Sequence, residues 1–152
     1  MHKTAIVRKN PSVPMRWLDQ KGLLVGRMLD YGCGRGKDAC TYGMATYDPH
    51  YQPVMPAGLF DTITCNYVLN VIESHEERKL VLLRMWFRLQ TGGRAYITVR
   101  NDRKALNGCT SKGTWQGLVR LNLPVVRHCA SYIIYELRQD AFDSFLEDGR
   151  VE

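Results

Sequence analysis

The sequence predicts an α/β protein on one open, mostly parallel sheet, with helices on both faces and an antiparallel C-terminal edge. Three observations predict it. Short β-rich runs alternate with helical ones, a glycine-rich turn separates the first strand from the helix after it, and two β-rich runs adjoin near the C-terminus.

In chain order, residues 13–22 predict a short helix stopped by Gly22, and residues 27–31 (RMLDY) a strand that runs into the turn GCGRG. Residues 37–42 continue from that turn as a helix, residues 44–47 form a second strand closed by Asp48-Pro49, and residues 62–67 a third. Ser74 then opens the clearest helix. Its hydroxyl caps the backbone while Glu77 caps in return, and Leu80, Leu83 and Phe87 recur at helical spacing until Gly92 and Gly93 end the element. Residues 95–99 (AYITV) predict a fourth strand, residues 125–129 and 132–137 the antiparallel pair, and Asp140 caps a last helix over 141–146.

With 152 residues, 45% of them apolar, the chain suits one domain over residues 1–152 with a real core. No apolar run is long enough to span a bilayer, and MHKTAIVRKNPSVP lacks the apolar centre of a secretory signal, so a cytoplasmic protein without membrane contact is expected. Five cysteines without a CxxC pair predict neither a disulfide framework nor a zinc site, but reduced thiols that are mostly buried.

The formal charge of +6, from 21 Lys and Arg against 15 acids, favours an anionic partner. Basic residues gather after residue 90 (Arg94, Arg100, Arg103, Lys104, Lys112, Arg120, Arg127) and in the N-terminal arm (Arg8, Lys9, Arg16). DNA or RNA held along a basic rim and a plain solvated face both fit this pattern.

The glycine turn lets a ligand approach the backbone closely. Its spacing, Gly32-x-Gly34-x-Gly36, departs from the GxGxxG of dinucleotide sites, and Asp30 stands two residues ahead of it. A carboxylate there repels a pyrophosphate and welcomes an ammonium. A nucleoside with an amino-acid end answers both demands, which is S-adenosylmethionine. Asp48, eighteen positions after Asp30 at the end of the next strand, can accept from ribose hydroxyls or simply start the Asp48-Pro49 turn.

Asp30, Gly32, Gly34 and Gly36 resemble the first motif of class I methyltransferases. The runs TAIVRKNPSVPMRWLDQKGLL, YDPHYQP, NYVLNVIESHEERKLVLLRMW and SKGTWQ resemble, over most of residues 3–116, methyltransferases found beside DNA phosphorothioation systems. The resemblance implies a Rossmann-like sheet, S-adenosylmethionine as cofactor and a link to nucleic-acid modification. It points to Asp30, Tyr31, Gly32, Cys33, Gly34, Asp48, Pro49 and Cys65 as cofactor contacts, and to Asn66 and Tyr67 as groups that position the reacting atoms. Only thirteen positions separate Asp48 from Asp61, too few for the helix and third strand that carry the adenine-contacting acid in class I enzymes, so the sheet is shortened in the middle. Tyr51 is the candidate to hold adenine instead.

Methyl transfer from an activated donor asks mainly for alignment, and needs a base only when the acceptor must lose a proton. The strand end CNYV lacks the two prolines of the DNA amino-methyltransferase motif, and Cys65 has no preceding Pro, so it is expected as a buried thiol rather than a nucleophile. The segment after residue 99 offers Arg103, Lys104, Lys112 and Trp115 as a rim where a base stacks, or as a solvated loop with Trp115 anchoring it. Small-molecule methylation, and a non-catalytic cofactor-binding subunit working with a partner protein or a second copy, remain the alternative readings.

Overall fold

Four parallel strands carry the molecule: β1 (Met28–Tyr31), β2 (Ala45–Tyr47), β3 (Phe60–Asn66) and β4 (Leu89–Arg100). The computed structural model describes residues 5–102, 108–110 and 113–141. A two-residue pair, β5 (Gly108–Cys109) and β6 (Trp115–Gln116), forms a separate ribbon, and β7 (Val125–His128) with β8 (Tyr132–Arg138) completes the main sheet. The order β2-β1-β3-β4-β8-β7 runs parallel through β4 and antiparallel from β8 outward, as predicted. The expected shortening in the middle of the sheet is corrected: β1, β3 and β4 are continuous there, and it is outside β2, at the edge, that nothing is paired among the described residues.

Helices cover both faces. On one, α1 (Val13–Gln20) and α2 (Lys37–Tyr42) bury Met15, Leu18 and Ala39 against Tyr96, Tyr132 and Ile134. On the other, α3 (His75–Phe87) buries Val81, Leu82 and Met85 against Leu29, Ile63, Ala95 and Ile97. Period-two alternation along β1, β3 and β4 sorts these side chains between the layers.

The helix at Ser74 starts where the cap predicts, with Ser74 Oγ accepting the Glu77 N–H at 3.3 Å. Its expected apolar stripe is corrected. Leu80 is 48% and Phe87 65% exposed, because LVLLRMWF is apolar almost all round and periodicity alone cannot choose its buried face. The cysteine expectation is corrected too: Cys65 is buried, Cys33 and Cys129 are half-buried, Cys40 and Cys109 are exposed, and all five are free. The predicted helix over 141–146 lies, apart from Ala141, outside the described residues. No helix among the described residues is long and apolar enough to cross a membrane.

Candidate active site

The carboxyl ends of β1 to β4 open into a cavity of about 560 Å³, the size class of small-ligand sites, at the place where open α/β sheets hold ligands. The end of β1 gives Asp30, and the glycine turn gives Gly32, Cys33 and Gly34. Asp48, His50 and Tyr51 follow β2, Asn66, Tyr67 and Val68 close β3, and Arg100 and Asp102 close β4. The N-terminal arm adds Ala5, Ile6, Arg8 and Ser12.

Why glycine at the turn? At Gly32 (φ +76°) a Cβ would collide with Val68 Cγ2, and at Gly34 (φ +56°) it would lie 2.8 Å from the Ala5 Cβ. Both positions combine left-handed backbone with close approach by the chain's own segments, so part of the glycine signal is packing within the protein. The turn's amides are also engaged. Gly32 and Cys33 donate to Tyr47 O at 2.7 and 3.0 Å, and Gly34 donates to Asp48 Oδ2 at 2.9 Å.

Asp48 is therefore a structural hub at the cavity wall. Its Oδ1 also accepts the His50 and Tyr51 amides at 2.8 and 3.1 Å, which makes it the turn starter that Asp-Pro suggests. A carboxylate offers about four lone-pair directions, so three backbone amides leave room for one hydroxyl donor. Asp38 is committed likewise, to Ser12 N at 2.7 Å and Ser12 Oγ at 2.8 Å, which ties the N-terminal arm to α2.

Asp30 differs from both. It is 3% exposed and has one hydrogen bond among the described residues, from Thr64 Oγ1 at 2.9 Å. Burial pushes its carboxyl up to about 7, opposed by the Thr64 hydroxyl and reinforced by the nearby Asp38 and Asp48. Such a group gains most from a cation placed in the cavity. Cys33 beside it is pushed up to about 12, first by burial and then by Asp30 and Asp48, so its thiol stays protonated.

At the end of β3, Thr98 Oγ1 donates to Asn66 Oδ1 at 2.8 Å, while Asn66 Nδ2 is buried without a partner among the described residues. A buried orphan donor is costly and calls for an acceptor from elsewhere. Tyr67 follows at φ +60°, held by its N–H to Thr98 O at 2.9 Å; for a bulky residue this backbone is strained, a state met at functional sites. Burial pushes its phenol up to about 12. Asn70 proves structural: it takes the Arg100 N–H at 2.8 Å and gives Nδ2 to Gly117 O at 2.7 Å.

Of the residues singled out in the sequence, Asp30, Gly32, Cys33, Gly34, Asp48, Asn66 and Tyr67 meet at the cavity, together with Tyr51, over whose ring the Arg35 guanidinium lies at 5.3 Å. Three do not. Tyr31 is buried in the α3-side core with its ring 4.9 Å from Tyr47, Cys65 is buried in the same core, and Pro49 is exposed on the turn. Period-two alternation explains Tyr31 and Cys65, since each flanks a residue, Asp30 or Asn66, that does reach the cavity. Trp115 anchors its loop rather than lining the rim: it is half-buried under the Arg78 guanidinium, 5.5 Å from the ring centroid. Arg103, Lys104 and Lys112 lie outside the described residues. Sequence reasoning missed the Asp38–Ser12 tie, which joins residues 26 positions apart and has no local pattern.

No protein-family model and no curated protein matches this chain. Solved structures do. The N-methyltransferase NodS from Bradyrhizobium japonicum, in complex with S-adenosylhomocysteine, aligns at a TM-score of 0.53 and 14% identity over 82% of this chain and 83% of its own. The 1,6-didemethyltoxoflavin N1-methyltransferase of Burkholderia thailandensis aligns at 0.52 and 16% identity, over 83% of this chain and 76% of its own. The glycopeptide N-methyltransferase MtfA with bound S-adenosylmethionine aligns at 0.50 and 9% identity, over 93% and 77%. The chain thus has the Rossmann-like α/β fold of class I S-adenosylmethionine-dependent methyltransferases, with a mostly parallel six-stranded sheet and an antiparallel edge.

Proposed function

We propose that the chain is an S-adenosylmethionine-dependent methyltransferase and that the cavity at the strand ends is its donor and acceptor site. The observation that carries this reading is Asp30, a nearly desolvated carboxyl with unfilled acceptor capacity at the wall of a ligand-sized cavity. It fits a cationic amino-acid end. Gly32 and Gly34 would let the chain fold tightly around that end, Asp48 keeps one direction for a ribose hydroxyl, and the Tyr51 ring offers a face for adenine. When bound, the cofactor supplies a methyl group on a positively charged sulfur, which an acceptor lone pair takes while the sulfur keeps the bonding electrons. The protein's task is alignment: Asn66 and Tyr67, at the end of β3, orient the acceptor.

The acceptor we favour is nucleic acid or a nucleotide-like molecule, supported by the charge of +6 and by Arg8, Arg35, Lys37 and Arg100 around the cavity. The narrower tie to phosphorothioation-associated methyltransferases rests on the sequence runs alone. A second reading, a small-molecule acceptor, is favoured by the toxoflavin-precursor and glycopeptide enzymes among the similar structures. The test is transfer of labelled methyl from S-adenosylmethionine to separated DNA, RNA, protein and small-molecule fractions, with Asp30→Ala as blank. Label in the nucleic-acid or nucleotide fraction is expected, label among other small molecules selects the second reading, and no label in any fraction contradicts both.

A further inference from the structure

The cavity lining combines acidic and basic groups. Its buried charge, at the glycine turn, is acidic: Asp30 and Asp48. Donors collect on the ends of β3 and β4 and on the N-terminal arm. Arg100 is tied by Nη2 to both Asp102 oxygens at 3.0 and 2.9 Å and by Nη1 to Gln116 Oε1 at 2.6 Å, so its charge is balanced and its place fixed. Arg8, from the N-terminal arm, lines the same cavity, is exposed, and has no ion pair among the described residues. Tyr67 lines the cavity together with both arginines, and the unpartnered Asn66 Nδ2 is buried on the adjoining residue. Thus the exposed Arg8 guanidinium and the Tyr67 phenol line the same cavity, with the orphan Asn66 amide buried in the wall beside them.

We propose that this wall is an anion subsite, in which Arg8 holds a carboxylate or phosphate of the methyl acceptor while Tyr67 and Asn66 donate to its neighbouring oxygen or nitrogen atoms. The proposal rests on reading the cavity as the methyl-transfer site, and it adds the chemistry by which the acceptor is chosen. Arg100 sets the shape of the wall, and Arg8 supplies its net charge. Because Arg8 belongs to the arm latched by Ser12 to Asp38, the subsite is complete only when the arm is docked. A guanidinium pairs with carboxylate and phosphate alike through its fork of donors, so the two sources are separated by experiment.

The test uses the whole isotope-labelled chain saturated with S-adenosylhomocysteine, titrated separately with inorganic pyrophosphate and with benzoate, following the Asn66 side-chain amide by NMR. A saturable shift of that resonance is expected, weakened about tenfold or more in Arg8→Gln and largely kept in Arg8→Lys, with S-adenosylhomocysteine affinity equal in all three. Tighter pyrophosphate binding identifies a phosphate-bearing acceptor, and tighter benzoate binding a carboxylate-bearing one. No saturable shift with either anion, or equal anion affinity in Arg8→Gln, overturns the subsite. Anion binding that depends on Arg8 in a chain that fails to bind S-adenosylhomocysteine would instead leave the subsite standing and overturn the methyl-donor reading.

Discussion

The two ends of the sheet treat their polar groups in opposite ways. At the amino end, Asp61 Oδ2 accepts the Arg27 N–H at 2.8 Å, the Arg27 guanidinium donates to Leu59 O and Ala57 O at 2.9 and 2.6 Å and lies 4.2 Å over the Phe60 ring, and Thr62 Oγ1 donates to Val25 O at 2.8 Å. These groups hold the chain to itself. At the carboxyl end, Asp30 has one hydroxyl partner and Asn66 Nδ2 none among the described residues, and Tyr67 sits at φ +60°. Groups left this way cost stability, and they persist where every other buried side-chain polar atom among the described residues has a partner. The difference separates residues committed to holding the fold from residues whose hydrogen-bonding capacity the described residues leave unfilled.

The sharpest way to break the comparison is Asp30→Asn. We expect S-adenosylmethionine affinity to fall by roughly 10–150-fold, the range of one charge-assisted hydrogen bond, while the ligand-free protein melts higher at pH 8 because no desolvated charge remains. Asp61→Ala is the mirror experiment: about 1 kcal/mol of stability lost, a fall of roughly 2–4 °C in Tm by calorimetry, and unchanged cofactor affinity. Gly32→Ala joins the two ends' logic, since left-handed backbone and Val68 both oppose a side chain; on the order of 1–3 kcal/mol is lost in urea unfolding. Tyr67→Phe keeps the ring and the backbone, so stability should stay within about 0.5 kcal/mol while methyl transfer slows at saturating cofactor. The smallest effect belongs to Tyr51→Ala, a several-fold loss of cofactor affinity with Tm nearly unchanged.

Acidity sharpens the same contrast. An acid whose folded value, about 7, lies above its ordinary 3.8 keeps a proton in the native state that the unfolded chain has released. Asp30 therefore makes stability fall as pH rises from about 4 to about 7 and stay level above, and Asp30→Asn removes that slope in unfolding measured across the window.

Much of the fold was readable because local signals agreed. The glycine turn, the Ser74 cap and the short β-rich runs each mark an element, and β1 to β3 and the start of α3 form where they indicate, whereas α3 ends at Phe87 and β4 starts at Leu89, taking in the glycine pair expected to stop the helix. The buried face of α3 was not readable, since an all-apolar run has no preferred side. At the site, Asp30 and the Asn66-Tyr67 pair were legible from motif and strand end. Tyr31 and Cys65 were assigned by adjacency in sequence, and the pleat turned them into the core. Asp48 shows a subtler limit: its sequence context allowed a ligand role and a turn role, and three backbone amides reveal how far the turn role goes. The arm contacts, Ala5 to Gly34 and Ser12 to Asp38, join residues 29 and 26 positions apart, beyond any local pattern.

The most direct test of the central claim is calorimetric titration of the chain with S-adenosylmethionine near pH 6 in two buffers of different ionisation enthalpy. A cation bound beside Asp30 should expel its proton, so binding should release a net proton in the wild-type chain, and Asp30→Asn should bind more weakly with no such release. No binding, or binding with equal affinity and equal proton balance in the two chains, would contradict the account.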